Sequence, residues 1–118
     1  MADLNALATN HKVKEEQSDM NEKVIMLIEA KLQPQRRAEV IDALHAYLPL
    51  VRAEPGVDAF YVTAKKDDAN TIVFYEIYKS QAAQDFHLQQ DFTKKFLAIL
   101  KNAQAGDRVR TNLIEVAP

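Results

Sequence analysis

A chain of 118 residues that is 47% hydrophobic and 27% charged can build one modest core, and its formal net charge of -2 sets up no field that would gather nucleic acid. It contains no cysteine, which excludes a disulfide framework, a thiolate metal site and cysteine redox chemistry. No run reaches the roughly 20 apolar residues that a membrane span needs, and the opening MADLNALATNHKVKEEQ lacks a basic start followed by an apolar stretch. The expectation is a cytoplasmic protein with no membrane partner.

Residues 1–21 join a weakly apolar start, Leu4, Leu7 and Ala8, to the charged run KVKEEQSDMNE, and read as an N-terminal extension. Such a segment either lacks fixed structure or docks through Leu4 and Leu7, and His11 belongs to it. The folded domain is expected over 22–118. Lys23 to Leu32 is the first strand, with Val24, Met26 and Ile28 on one face and Ile25 and Leu27 on the other, so both faces need cover. Pro34 then suits the first turn of a helix, where a missing N–H costs nothing. Ala38, Ile41, Leu44, Leu48 and Val51 recur at spacings of three and four, and His45 and Tyr47 ride on the same helix as surface or core residues. The helix ends before Pro55 and Gly56, and the glycine is expected in the left-handed conformation that closes many helices.

Two runs of alternating aromatic and β-branched residues follow, AFYVTAK at 59–65 and TIVFYEIY at 71–78, separated by the turn-forming KDDAN. They predict an antiparallel hairpin. Ser80 can cap a following amphipathic helix that carries Ala82, Ala83, Phe86, Phe96, Leu97 and Leu100. Gly106 marks a break, and 108–116 supplies Val109, Leu113 and Val116 for a last strand. The order βαββαβ is the ferredoxin-like α+β arrangement, an antiparallel sheet with both helices on one face. The other apolar face is too large to leave open, which predicts a homodimer with the two sheets face to face.

Residues with chemical potential concentrate in the hairpin and the helix after it. Glu76 shares a strand face with Ile72, Phe74 and Tyr78, where apolar neighbours would raise its proton affinity and suit it to acid–base work; the alternative is an ordinary ion pair at a strand end. His87 stands four residues before Asp91, so on an unbroken helix the two share a face. It is either a general base or substrate-orienting group, or a packing histidine bonded to backbone. Tyr61, Tyr75 and Tyr78 can donate to a substrate oxygen or serve packing alone, and Phe74 stands among them as an aromatic wall. The histidines at 11, 45 and 87 fall in separate elements, so no metal is expected. Two distant glycines make no phosphate loop, so no nucleotide cofactor is expected. The strand TIVFYEIY also lacks the basic-glycine-aromatic signature of RNA-recognition modules.

The ordered set EPG at 54–56, FYV at 60–62, VFYEIYKSQAA at 73–83, His87 and DF at 91–92 resembles the antibiotic biosynthesis monooxygenase (ABM) domain family, over roughly residues 22 to 117. The resemblance implies a dimeric α+β barrel and a monooxygenase that acts on a small phenolic or quinol substrate without metal or flavin. His87 and Glu76 would be its catalytic groups, and Tyr61, Phe74, Tyr75 and Tyr78 would contact substrate. Many relatives carry a second histidine before the phenylalanine, where this chain has Asp91. Haem-degrading relatives use a pocket tryptophan, a strand asparagine and a late helical histidine; this chain has no tryptophan, and Ala30 and Phe96 stand near the other two positions. Two alternatives stay open. One is an isomerase of a phosphorylated autoinducer-2-like sugar, for which Arg108, Arg110, Lys65 and Lys66 are the available cations, and the other is a non-catalytic small-ligand-binding protein.

Overall fold

The computed structural model of the protein describes residues 22–117. Four strands, β1 (Val24–Lys31), β2 (Val57–Lys65), β3 (Asp68–Tyr78) and β4 (Val109–Leu113), form one antiparallel sheet in the order β2-β3-β1-β4. Three helices accompany it: α1 (Arg37–Arg52), entered through a short 3-10 turn at Pro34–Arg36, then α2 (Gln81–Gln89) and α3 (Asp91–Ala103). This is the ferredoxin-like α+β arrangement, with its second helix divided in two. The expected extension at 1–21, including Leu4, Leu7 and His11, lies outside the described residues.

Strand alternation decides which side chains meet the helices. In β3, Ile72, Phe74, Glu76 and Tyr78 are buried, while Val73, Tyr75 and Ile77 between them are only half-buried. The register sets Met26 beside Glu76 and Ala30 beside Ile72, and these too are buried. Apolar residues of α1 and α3 close over this face, with Val40, Leu44, Val51, Phe96 and Leu100 in one cluster with Ala30, Phe60, Ile72 and Phe74. The opposite face carries Leu27, Val73, Tyr75 and Ile77 half-buried and Tyr61 61% exposed.

Local chemistry moved four expected details. The buried stripe of α1 is Val40, Leu44, Tyr47 and Val51, so Ala38 is exposed and Ile41 and Leu48 sit at the flanks. Gly56 has no positive φ; its reason is proximity, since a Cβ there would stand 2.6 Å from the Ala83 Cβ. Positive φ is found instead at Gly106, 128°, in the loop before β4. The hairpin turn is tighter than the sequence indicated, with Lys65 pairing directly with Asp68 across Lys66 and Asp67.

The fourth change bears on the site. Ser80 caps α2 as expected, its Oγ accepting from the Ala83 N–H at 3.1 Å, but the helix stops at Gln90, whose φ of -68° and ψ of 137° are extended. Gln90 also receives the Thr93 and Lys94 N–H groups, starting α3 afresh, and Asp91 lies in the first turn, where a negative charge suits the exposed N–H dipoles. Asp91 is therefore exposed on a different helix from His87, and Phe86 is 56% exposed rather than part of the core.

Candidate active site

Between the helix-covered sheet face and the helices α2 and α3 lies a cavity of about 320 Å³, with Arg108 and Arg110 on its β4 side. Its walls are mainly apolar and aromatic, with Met26, Phe60, Phe74, Phe96 and Leu100 among them, and its polar groups are few and convergent. A space of this size admits a small ring compound.

His87 is among the cavity's most confined polar groups. It projects from α2, is 3% exposed, and has both ring nitrogens engaged: Nδ1 lies 2.7 Å from Glu54 Oε2 and Nε2 lies 3.1 Å from the Tyr47 hydroxyl. Glu54 sits in the turn between α1 and β2 and is itself buried. A carboxylate accepts only, so it holds the imidazole proton on Nδ1 and leaves Nε2 to accept from the Tyr47 O–H in the neutral ring. Thr93 Oγ1, 3.3 Å from the same hydroxyl, completes a buried relay across α1, α2 and α3. Burial raises the proton affinity of the Tyr47 phenol, chiefly by desolvation, so it stays protonated. Glu54 Oε1 has no hydrogen-bond partner among the described residues, although it is fully withdrawn from solvent.

Glu76 enters from β3. Burial pushes its carboxyl above the usual range, while the Tyr78 O–H, donating to Oε1 at 2.5 Å, the His87 imidazole in its protonated form, and the charges of Arg110 and Arg108 work in the other direction. Burial and the adjacent Glu76 raise the Tyr78 phenol in turn. The arrangement sets two protonic pairs against one cavity, Glu54 with His87 and Glu76 with Tyr78, and the Tyr78 and His87 rings are 5.2 Å apart. Such a site can accept a proton from a bound hydroxyl and stabilise the anion formed.

Of the residues singled out from sequence, His87, Glu76, Phe74 and Tyr78 line this cavity together. Tyr61 and Tyr75 do not: they are paired with each other across the hairpin on the opposite face, because their parity along the strands is opposite to that of Phe74, Glu76 and Tyr78. Phe60, one residue earlier, takes the inward position. Tyr47 and Glu54 were missed as site residues. Among the described residues no group of three or more His, Cys, Asp or Glu side chains is disposed to hold a metal ion, and no helix is long and apolar enough to cross a membrane.

The sequence model of the family described as antibiotic biosynthesis monooxygenase matches residues 23–101. The Bacillus subtilis protein named "Putative monooxygenase YcnE" is 29% identical over 94 residues, covering 78% of this chain and 99% of its own. A Synechocystis protein, sll1783, is 25% identical over 67 residues, or 57% of this chain, and the chain spans just under half of it, 46%. Among solved structures, Rv0793 from Mycobacterium tuberculosis superposes with a TM-score of 0.75 at 21% identity, covering 81% of this chain and 97% of its own. PA3566 from Pseudomonas aeruginosa does so with 0.74 at 16%, covering 83% and 98%. At these identities the two structures speak for the fold alone. The sequence match, spanning both the hairpin and the His87 helix, makes this chain a member of the antibiotic biosynthesis monooxygenase family.

Proposed function

We propose that the protein is a cofactor-independent monooxygenase of a small phenolic or quinol substrate. What supports this most is the buried His87, pinned by Glu54 at Nδ1 and set in an aromatic cavity large enough for one ring. An electron-rich phenolate can itself pass an electron to oxygen, so the protein's task is to bury the ring, take its proton and stabilise the anion. When a phenol becomes a quinone, one atom of O₂ enters the ring, the other leaves as water, and the substrate supplies all the electrons. In this reading His87 takes the proton through Tyr47, whose hydroxyl passes its own proton to Nε2 and receives the substrate's. Glu76 and Tyr78 manage the second proton, and Phe60, Phe74 and Phe96 grip the ring. Oxygen uptake measured with a panel of hydroquinones, naphthohydroquinones and anthrones tests it, and an enzyme that consumes no oxygen above the spontaneous rate with any of them overturns it.

A phosphosugar isomerase is the second reading, favoured by the two guanidinium groups of Arg108 and Arg110 on the cavity wall. Isomerisation of a phosphorylated ketose without oxygen uptake would select it, and binding without turnover would select a ligand-binding protein. For either activity the working unit proposed is a homodimer joined through the open sheet face, where Leu27, Val73, Tyr75 and Ile77 would exclude water against a second copy. Sedimentation at micromolar concentration checks this, and a monomer there contradicts it.

A further inference from the structure

The cavity wall that closes on β4 carries more positive charge than its surroundings use. Arg108, just before β4, is partly buried, and its Nη1 is withdrawn from solvent with no hydrogen-bond partner among the described residues. Arg110, an exposed residue within β4 that reaches the cavity wall, commits its Nε to the Asn112 side-chain oxygen at 2.8 Å, a neutral acceptor. Neither guanidinium forms an ion pair with a described residue. The one carboxyl on the cavity wall, Glu76, is already bonded to the Tyr78 hydroxyl. A buried N–H of a charged group that finds no partner is costly, and proteins keep such groups where a ligand supplies the acceptor.

Resting on the reading of this cavity as the substrate site, we propose that its ligand is an anion, a small ring bearing an acidic group that Arg108 and Arg110 hold while the ring lies over His87. The fork of an arginine matches a carboxylate or phosphate with two parallel N–H···O bonds, so the pair fixes which end of the ligand faces β4. With the acidic group fixed at the β4 edge, a ring hydroxyl on the far side of the ligand is carried toward the imidazole. The anion thus sets orientation, and the relay behind His87 acts on whichever hydroxyl that orientation presents.

The test measures binding by the full chain, by titration at low salt, for 2,5-dihydroxybenzoate and for hydroquinone, the same ring without the acid. The acid is expected to bind about tenfold more tightly or better, because charge-assisted hydrogen bonds are involved. The ratio should fall toward one in Arg108→Gln combined with Arg110→Gln, and recover in part in Arg108→Lys, with thermal melts confirming that each variant is folded. D-Ribose 5-phosphate, titrated alongside, separates a phosphate-bearing sugar from an acidic ring as the source of the anion. Equal affinity for the two rings, failure of both to bind, a preference that survives the double substitution, or tightest binding by the sugar phosphate overturns the proposal. An acid preference that depends on the arginines, with no oxygen consumed, would retain the anionic ring and remove the monooxygenase reading instead.

Discussion

Glu54 Oε2 and His87 Nδ1 are 2.7 Å apart across 33 residues of sequence, and both side chains are almost wholly withdrawn from solvent. The contact ties the turn after α1 to the last turn of α2, and in doing so selects the tautomer that faces Tyr47. Glu54→Gln should therefore lower turnover by roughly 10²-fold while leaving the fold intact, since an amide can present its N–H₂ to Nδ1 and reverse the tautomer. Imidazole ¹⁵N shifts of His87 report the tautomer directly. A variant with unchanged shifts and near-normal rate would show that the pair serves packing alone.

The same pair predicts a coupling in stability. His87→Ala removes the partner of a buried carboxylate and should cost about 3 kcal/mol as well as most of the turnover. Glu54→Leu added to it takes away the stranded group and should restore much of the stability without restoring activity. Denaturant titrations of the two single variants and the double variant measure the term. Strict additivity would mean that the two side chains do not interact.

At Gly56 the argument is steric. A methyl group there meets Ala83 Cβ at 2.6 Å, closer than real carbons approach, and the backbone at 56 lacks the positive φ that would otherwise explain the glycine. Gly56→Ala should thus destabilise by about 1–3 kcal/mol through forced separation of β2 from α2. Ala83→Gly in that background should recover part of the loss, despite glycine's own cost in a helix of roughly 1 kcal/mol. If the second substitution only adds to the damage, contact with Ala83 is not the reason for the glycine.

Sheet, hairpin and helix order were legible in the sequence because β1 is a continuous apolar run, β2 and β3 are rich in aromatic and β-branched residues, and Ser80 is an ordinary cap. The break at Gln90 was not, since no glycine or proline announces it and Leu88, Gln89 and Gln90 are themselves good helix formers. That one change separates His87 from Asp91 and gives the histidine a partner that local spacing could never reveal. Tyr61 and Tyr75 were a different matter: counting by twos from Phe74 already assigns Tyr75 to the far face, and composition had outweighed parity. Tyr47 was equally available, because Val40, Leu44, Tyr47 and Val51 make a better helical stripe than the one read through Ala38 and Leu48.

Glu76 links stability to pH, and the sign follows from burial. Its folded carboxyl titrates above the ordinary glutamate value of about 4.5 because desolvation outweighs the Tyr78 bond and the nearby cations. Between the unfolded and folded values the native state therefore holds a proton that the unfolded chain has lost, and stability falls as pH rises through that window. Each unit of separation removes about 1.4 kcal/mol above the folded value. Glu76→Gln keeps an oxygen to accept from Tyr78 but cannot ionise. It should match the parent below the unfolded value, gain on it as pH rises through the folded one, and hold a constant advantage beyond. Asp58 and Asp68, held low mainly by Lys79 and Thr71 respectively, act in the opposite sense in both proteins and cancel in the difference. If Glu76 also serves the chemistry, the more stable variant should lose roughly 10²-fold in turnover. Urea titrations across pH, paired with oxygen uptake, read both effects. A stability difference independent of pH would contradict the burial argument, and an undiminished rate would leave proton transfer to His87 and Tyr47.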